Sequence, residues 1–395
     1  MEEKPNDKPA ETDINSIEPP DDIKAQIKPE DHPQTPDLPA HAADAPLPQT
    51  EQLILPPKSH RQVFIVTGII LLLIAIAITA YFLFKNKENK QAPVASANSS
   101  QTARTSQKLT GIQLDTSKNY GNKYANGILP VGDGKYSSSA PAVGTVYACA
   151  GYAQNLSGGQ GGAGGRGPWF IGTSQYNMNK KIHVQGNKMW QASFSNKLAG
   201  ATRTITTNDL PNHPTGTFPI SAADPAYAYD RNPNAISGQS FTYSLSASPV
   251  YAATPNCMGG EAGVMLTGVA LFNGFDAGGR DAGAWEVQDS CSGHPQKDGV
   301  YHYHTLSSCI KDISVKTVIG FALDGYPITG PQVGTNNILT TSDLDECHGL
   351  TSQVVLDGKD VTTYHYVMTQ DFPYSVSCFR AQPIQAPGLK AGPAV

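Results

Sequence analysis

The sequence has no basic stripe. Its 28 Lys and Arg are outnumbered by 33 Asp and Glu, so no concentrated positive charge can track a phosphate backbone, and nucleic acid is excluded as a partner. There is no Gly-x-Ser-x-Gly elbow, which argues against a serine hydrolase of that kind. The glycine run Gly158–Gly167 (GGQGGAGGRG) lacks the Gly-Lys-Ser/Thr ending of a phosphate loop and the spacing of a dinucleotide fingerprint, so it reads as a loop. Phe272–Gly283 (FNGFDAGGRDAG) is rich in Gly and Asp without the EF-hand order of calcium ligands. Its Asp276 and Asp281 read as turn-ordering groups.

Residues 1–62 contain no aromatic residue, but hold twelve of the 30 prolines and thirteen acids against six Lys or Arg, a net of −7. Such a tract buries too little apolar surface to offset its ordering entropy, and is expected to be a disordered, acidic, Pro-rich cytoplasmic tail. Val63–Phe84 then runs 22 residues without a charge. A bilayer core of about 30 Å needs roughly 20 such residues in a helix, so 63–84 is expected to be a single-pass transmembrane anchor in the cell membrane. Lys58 and Arg61 precede the run and Lys85, Lys87 and Lys90 follow it, a count that mildly favours the C-terminal side as cytoplasmic, but long domains cross membranes largely regardless of local charge. The expected orientation is N-terminus cytoplasmic and C-terminal domain extracytoplasmic. Residues 85–118 are small and polar with a net charge of +4, and read as a flexible linker.

Past Phe84 no long, well-capped helical pattern occurs. Short runs rich in Val, Ile, Tyr, Thr and Phe alternate with Gly, Pro, Asn and Asp: Gly144–Tyr152, Lys181–Val184, Ala201–Thr206, Ser240–Leu245, Gly263–Phe272, Thr317–Leu323 and Val361–Met368. That rhythm predicts a mainly β fold, with residues 119–395 forming one β-rich domain with irregular loops. All six cysteines (149, 257, 291, 309, 347 and 378) lie in this part, and an even number in an extracytoplasmic domain predicts disulfides.

The densest chemistry is Cys291-Ser292-Gly293-His294-Pro295-Gln296-Lys297-Asp298-Gly299-Val300-Tyr301-His302-Tyr303-His304, followed by Cys309. Tyr301–His304 alternates with the period of a strand, which puts His302 and His304 on one face and the tyrosines on the other. Pro295–Gly299 reads as a turn that folds His294 back beside the pair. Three imidazoles so gathered can converge on one metal ion, and they suit zinc or copper better than calcium. His213, fixed between Pro211 and Pro214, and His365 are candidates for a fourth ligand. Glu286 and Asp289 are candidates to orient the imidazoles from behind. The alternative is a hydrogen-bonded polar ladder in which the histidines are structural.

The last 50 residues echo this unit. Leu344-Asp345-Glu346-Cys347-His348-Gly349 parallels Gln288–His294, and Thr363-Tyr364-His365-Tyr366 parallels Val300–Tyr303, with Val367 in place of the second histidine. A duplicated hairpin suggests Cys291–Cys309 and Cys347–Cys378 as pairs, with Cys149–Cys257 left over, among fifteen connectivities.

At Tyr301-His302-Tyr303-His304 the sequence resembles the YHYH domain family. The resemblance extends over roughly residues 205–378, through Leu210-Pro211-Asn212-His213-Pro214, Asn273-Gly274, Cys291-Ser292-Gly293-His294-Pro295, Ile319–Ile328 and Cys347-His348-Gly349. It implies a secreted or surface setting and no particular reaction. Three functions follow as expectations: a membrane-anchored domain binding a transition metal through clustered histidines, a cell-surface binding or adhesion module for a surface polymer or glycan, and a metal-assisted hydrolase.

Overall fold

A computed structural model describes residues 110–157 and 164–388, all within one compact unit, Gln101–Val395. The fold is mainly β and carries three disulfides. The expected tail, the apolar run 63–84 and most of the linker lie outside the described residues, as do 158–163 of the glycine run. The membrane assignment is corrected. Among the described residues no helix is long and apolar enough to cross a membrane. The longest helix with a described course, α1 (Ala150–Ser157), has eight residues, a length of about 12 Å against the 30 Å a span requires. The single-pass anchor, and the cell-membrane location and orientation that rested on it, are not carried further.

Among the described residues there are four small sheets and one large one. β1 (Ile128–Pro130), β4 (Phe170–Ile171) and β5 (Gln175–Asn177) form one, and β2 (Tyr136–Ser137) pairs with β3 (Val146–Tyr147). β6 (Phe194–Ala199), β7 (Thr202–Thr207) and β8 (Phe241–Ser246) form an antiparallel trio. β15 (Gln332–Gly334) and β16 (Asn337–Ile338) make a short pair. The large sheet has eight strands: β9 (Glu261–Met265), β10 (Ala270–Phe272), β11 (Gly293–Pro295), β12 (Tyr301–Tyr303), β13 (Val318–Ala322), β14 (Pro327–Thr329), β17 (Gly349–Leu356) and β18 (Lys359–Val367), in the order β11-β12-β10-β9-β13-β14-β18-β17.

Outward from the central β9–β13 pair, each half of that sheet has the same plan. An antiparallel pair (β9–β10; β13–β14) is followed by a parallel neighbour (β12; β18) and ends in an antiparallel hairpin partner (β11; β17). The tight connections of the antiparallel pairs both use a glycine at positive φ, Gly268 (93°) and Gly325 (91°). Asp289 accepts from the backbone N–H of Cys291 and Gly293, and Asp345 from those of Cys347 and Gly349. Tyr301 donates its hydroxyl hydrogen to Asp289 as Tyr364 does to Asp345. Tyr303 reaches Thr267 where Tyr366 reaches Asp324. The duplication legible in the last 50 residues is therefore a four-strand unit used twice. The pairs Cys291–Cys309 and Cys347–Cys378 tie down the two copies, and Cys149–Cys257 joins the start of α1 to the segment before β9.

Gly293 and Gly349 have a shared steric reason. A Cβ at Gly293 would lie 2.2 Å from the Tyr301 ring, and one at Gly349 would lie 2.3 Å from the Tyr364 hydroxyl. Both rings are buried and held by their aspartates. Gly293→Ala is therefore expected to destabilise the fold by about 1–3 kcal/mol through overpacking, visible as a lower midpoint of chemical denaturation. An unchanged midpoint would show that the ring moves aside freely.

Three expected strands differ in detail. Gly144–Tyr152 is β3 followed by α1, because Ala153 and Leu156, three apart, bury one face of a helical turn. Lys181–Val184 keeps a single bridge, Val184 to Asp289. Gly263–Phe272 is broken by the Gly268 turn into β9 and β10. Part of the expected linker is folded: Leu114 donates to Thr351 of β17, which donates back to Ile112.

Candidate metal centre

β11 and β12 form an antiparallel hairpin around Gln296–Val300, with His294 directly opposite His302. Opposed residues of an antiparallel pair project to the same face, as do residues two apart along a strand. His294, His302 and His304 accordingly gather on one face, their candidate ligand atoms all within 4.8 Å of one another. Each is 3–4% exposed. Phe272 of β10 stacks on the His302 ring at 4.2 Å and closes that side.

The backbone sets the tautomers. His302 Nδ1 faces the Val300 carbonyl at 3.2 Å, and His304 Nδ1 faces the Asn273 carbonyl. A carbonyl only accepts, so each Nδ1 carries the hydrogen and each Nε2 presents a lone pair. Those two Nε2 atoms lie 3.0 Å apart. Two lone pairs at that distance repel unless a cation sits between them. A proton is a poor answer, because burial holds both imidazoles below the usual range, His304 down to about 4 and His302 well below, where its neighbour His304 adds to the effect.

Glu286 completes the cluster. The short helix α2 (Ala282–Trp285), capped by Asp281, ends on this residue and delivers its carboxylate to the imidazoles. Its Oε2 lies 3.3 Å from His294 Nε2 and 3.4 Å from His304 Nε2. Four donors bonded at about 2.0–2.1 Å in a tetrahedron lie about 3.3–3.4 Å from each other, so these spacings match a tetrahedral edge. Glu286 Oε2 and both ring nitrogens of His294 are buried and make no hydrogen bond. Buried groups left so cost about 1–3 kcal/mol each, and the polar ladder of structural histidines would leave no such debt. Burial, followed by the charges of Asp276 and Asp230, pushes the Glu286 carboxyl well up, and burial followed by His302 and His304 holds the His294 imidazole well down.

The other candidates are elsewhere. His213 lies on the tyrosine face, its Nε2 on the Tyr303 hydroxyl and its Nδ1 2.9 Å from the Pro214 carbonyl oxygen. It neighbours Cys291 and Cys309, whose sulfurs are joined and offer no thiolate. His365 sits in the second copy, bonded to Thr329 Oγ1 at 2.9 Å and Ser352 Oγ at 2.7 Å, so both nitrogens are engaged. There Leu350 stands opposite it, and Val367 follows where the first copy has His304. Asp289 is a turn organiser rather than an imidazole partner, accepting from Gly216, Cys291, Gly293 and Tyr301. Glu286 faces the centre itself rather than an imidazole's far side. Sequence reasoning missed this because a carboxylate at the end of a four-residue helix has no spacing signature relative to a strand.

Residues 242–338 match the family model described as YHYH protein. These residues are a YHYH domain. The match spans all three clustered histidines, Glu286 and the first four-strand copy, and ends before Cys347 and the second hairpin. No curated protein and no solved structure matches the chain.

Proposed function

We propose that the YHYH domain binds a transition metal, zinc or copper, through His294, His302, His304 and Glu286. The observation that carries this reading is the pair of Nε2 lone pairs 3.0 Å apart, with an unbonded carboxylate oxygen closing the same centre. Three imidazoles and one carboxylate form an N/O set suited to zinc or copper. A bound divalent ion would supply positive charge to a buried carboxylate and to three lone pairs. The protein's share is rigidity: Phe272 packs one ring, and the Val300 and Asn273 carbonyls fix two tautomers. With Glu286 taking the fourth corner, the arrangement favours a closed, structural site over one holding water for hydrolysis.

The test is metal analysis of the full-length protein after dialysis, expected to show about one zinc or copper per chain. Glu286→Gln keeps the volume but removes the anion. Metal affinity is expected to fall at least about tenfold while the three imidazoles still hold the ion. Unchanged affinity in that variant would remove Glu286 from the ligand set.

The pH response has a defined sign. The carboxyl of Glu286 is raised, so the ion must displace its proton, and affinity should rise with pH by about tenfold per unit until that carboxyl has titrated. Burial lowers the imidazoles, His304 down to about 4, so they compete for protons only in more acidic solution than the raised carboxyl does. Glu286→Gln is therefore expected to flatten the dependence over the range in which the native carboxyl titrates. Competition titrations with a chromophoric chelator read the slope, and an identical slope in both proteins would contradict the assignment.

A further inference from the structure

A second buried feature stands apart from the histidines. Lys181 follows the turn Met178–Lys180 and is 8% exposed. Its Nζ donates to the Gly283 carbonyl at 2.5 Å and to Gln288 Oε1 at 2.6 Å. An ammonium has three donors, both of these acceptors are neutral, and among the described residues Lys181 is in no ion pair. One donor and the positive charge are left over. Desolvation pulls this ammonium down to about 8 against the opposing carboxyls of Asp281, Glu286 and Asp230.

Lys181 lines a cavity of about 290 Å³ whose wall is part aliphatic, from Leu129, Met178, Leu306, Ile310 and Ile313, and part polar, mainly hydroxyl and amide side chains. The cavity lies between the sheet containing β1 and the loop closed by the Cys291–Cys309 disulfide. Its volume falls at the small end of ligand pockets, which run from about 300 Å³ upward, and such pockets combine apolar walls with a few placed polar groups. Lys181 is the one lysine or arginine in this wall, and beside the aliphatic side chains it matches a monoanionic head on an apolar tail.

We propose that this cavity binds a small monocarboxylate with an apolar tail, its carboxylate oxygen accepting the third hydrogen of Lys181 Nζ. The cavity is separate from the proposed metal centre, since His294, His302, His304 and Glu286 do not line it. The experiment is calorimetric titration of the full-length protein with straight-chain alkanoates from butanoate to decanoate, each beside the primary alcohol of equal length. At least one alkanoate is expected to bind about tenfold or more tighter than its alcohol. Lys181→Met is expected to lose that advantage and keep the alcohol affinity. Should that variant fail to fold, the alkanoate–alcohol comparison on the native protein decides alone, and Leu306→Trp, which fills the cavity, should remove binding of both. Equal binding of acid and alcohol, no saturable binding across the series, or full alkanoate affinity in folded Lys181→Met would overturn the proposal.

Discussion

Replacing His302 with alanine is expected to leave the protein without retained metal after dialysis, with affinity reduced by at least about 100-fold. The reason is geometric as much as chemical. His302 is the imidazole that both opposes His294 across the hairpin and approaches His304 at 3.0 Å, so its loss removes one corner and opens the remaining spacings. Loss of an outer orienting partner alone typically costs 10- to 100-fold, and loss of a direct ligand should exceed that. Stability supplies a second readout. An ion present at about 100 times its dissociation constant stabilises the native state by about 2.7 kcal/mol, so the native protein should melt several degrees higher with metal than after chelation. In His302→Ala that difference should vanish, while the chelated forms of the two proteins differ much less. His365→Ala is the control, because both ring nitrogens of His365 are taken up by Thr329 and Ser352, and it should retain the metal response. If His365→Ala abolished the response as fully as His302→Ala, the centre would be misplaced.

That contrast shows what the sequence could and could not disclose. The alternation Tyr-His-Tyr-His fixes which side chains share a face whatever the strand pairs with, so the convergence of His302 and His304 was readable, and a five-residue turn was enough to bring back His294. The second copy carries nearly the same letters, and Leu350 and Val367, at the places of His294 and His304, mark its centre as different. His213 and His365 are the same residue type as the proposed ligands, yet each is engaged by hydroxyl partners from other strands, which have no local signal. Glu286 was legible as an acid near the site but not as a member of it, since its approach depends on where α2 ends. The disulfide pairs followed from the duplication, because equivalent cysteines in two copies of one hairpin close equivalent loops. The eight-strand order was not readable: β10 and β12 are parallel neighbours with β11 intervening in sequence, and no short-range pattern encodes that return. The apolar run at 63–84 illustrates the opposite limit, a strong compositional signal on residues outside the described fold.

The duplication also makes the second large prediction, because one aspartate of the matched pair carries a charge partner and the other does not. Asp289 and Asp345 both organise a tight turn and both accept a buried tyrosine hydroxyl. Asp345 alone also receives Arg380, through Nη2 at 2.9 Å and Nε at 3.1 Å, with Arg380 only 3% exposed. Removing one partner of a buried pair leaves an uncompensated charge and costs about 3–5 kcal/mol. Glu346 lies 2.6 Å from the same guanidinium but is 36% exposed, so it offsets only part of that loss. Asp345→Ala is therefore expected to destabilise by about 3 kcal/mol or more. Asp289→Ala, which strands N–H and O–H donors but no charge, should cost less, about 1–3 kcal/mol. The deciding comparison is the double variant Asp345→Ala/Arg380→Met. If the guanidinium's stranded charge is the main cost, the second substitution should restore part of the stability lost in the first, with an unchanged denaturant slope. Additive losses in the double variant would instead place the energy in the turn's backbone hydrogen bonds, which the two copies share.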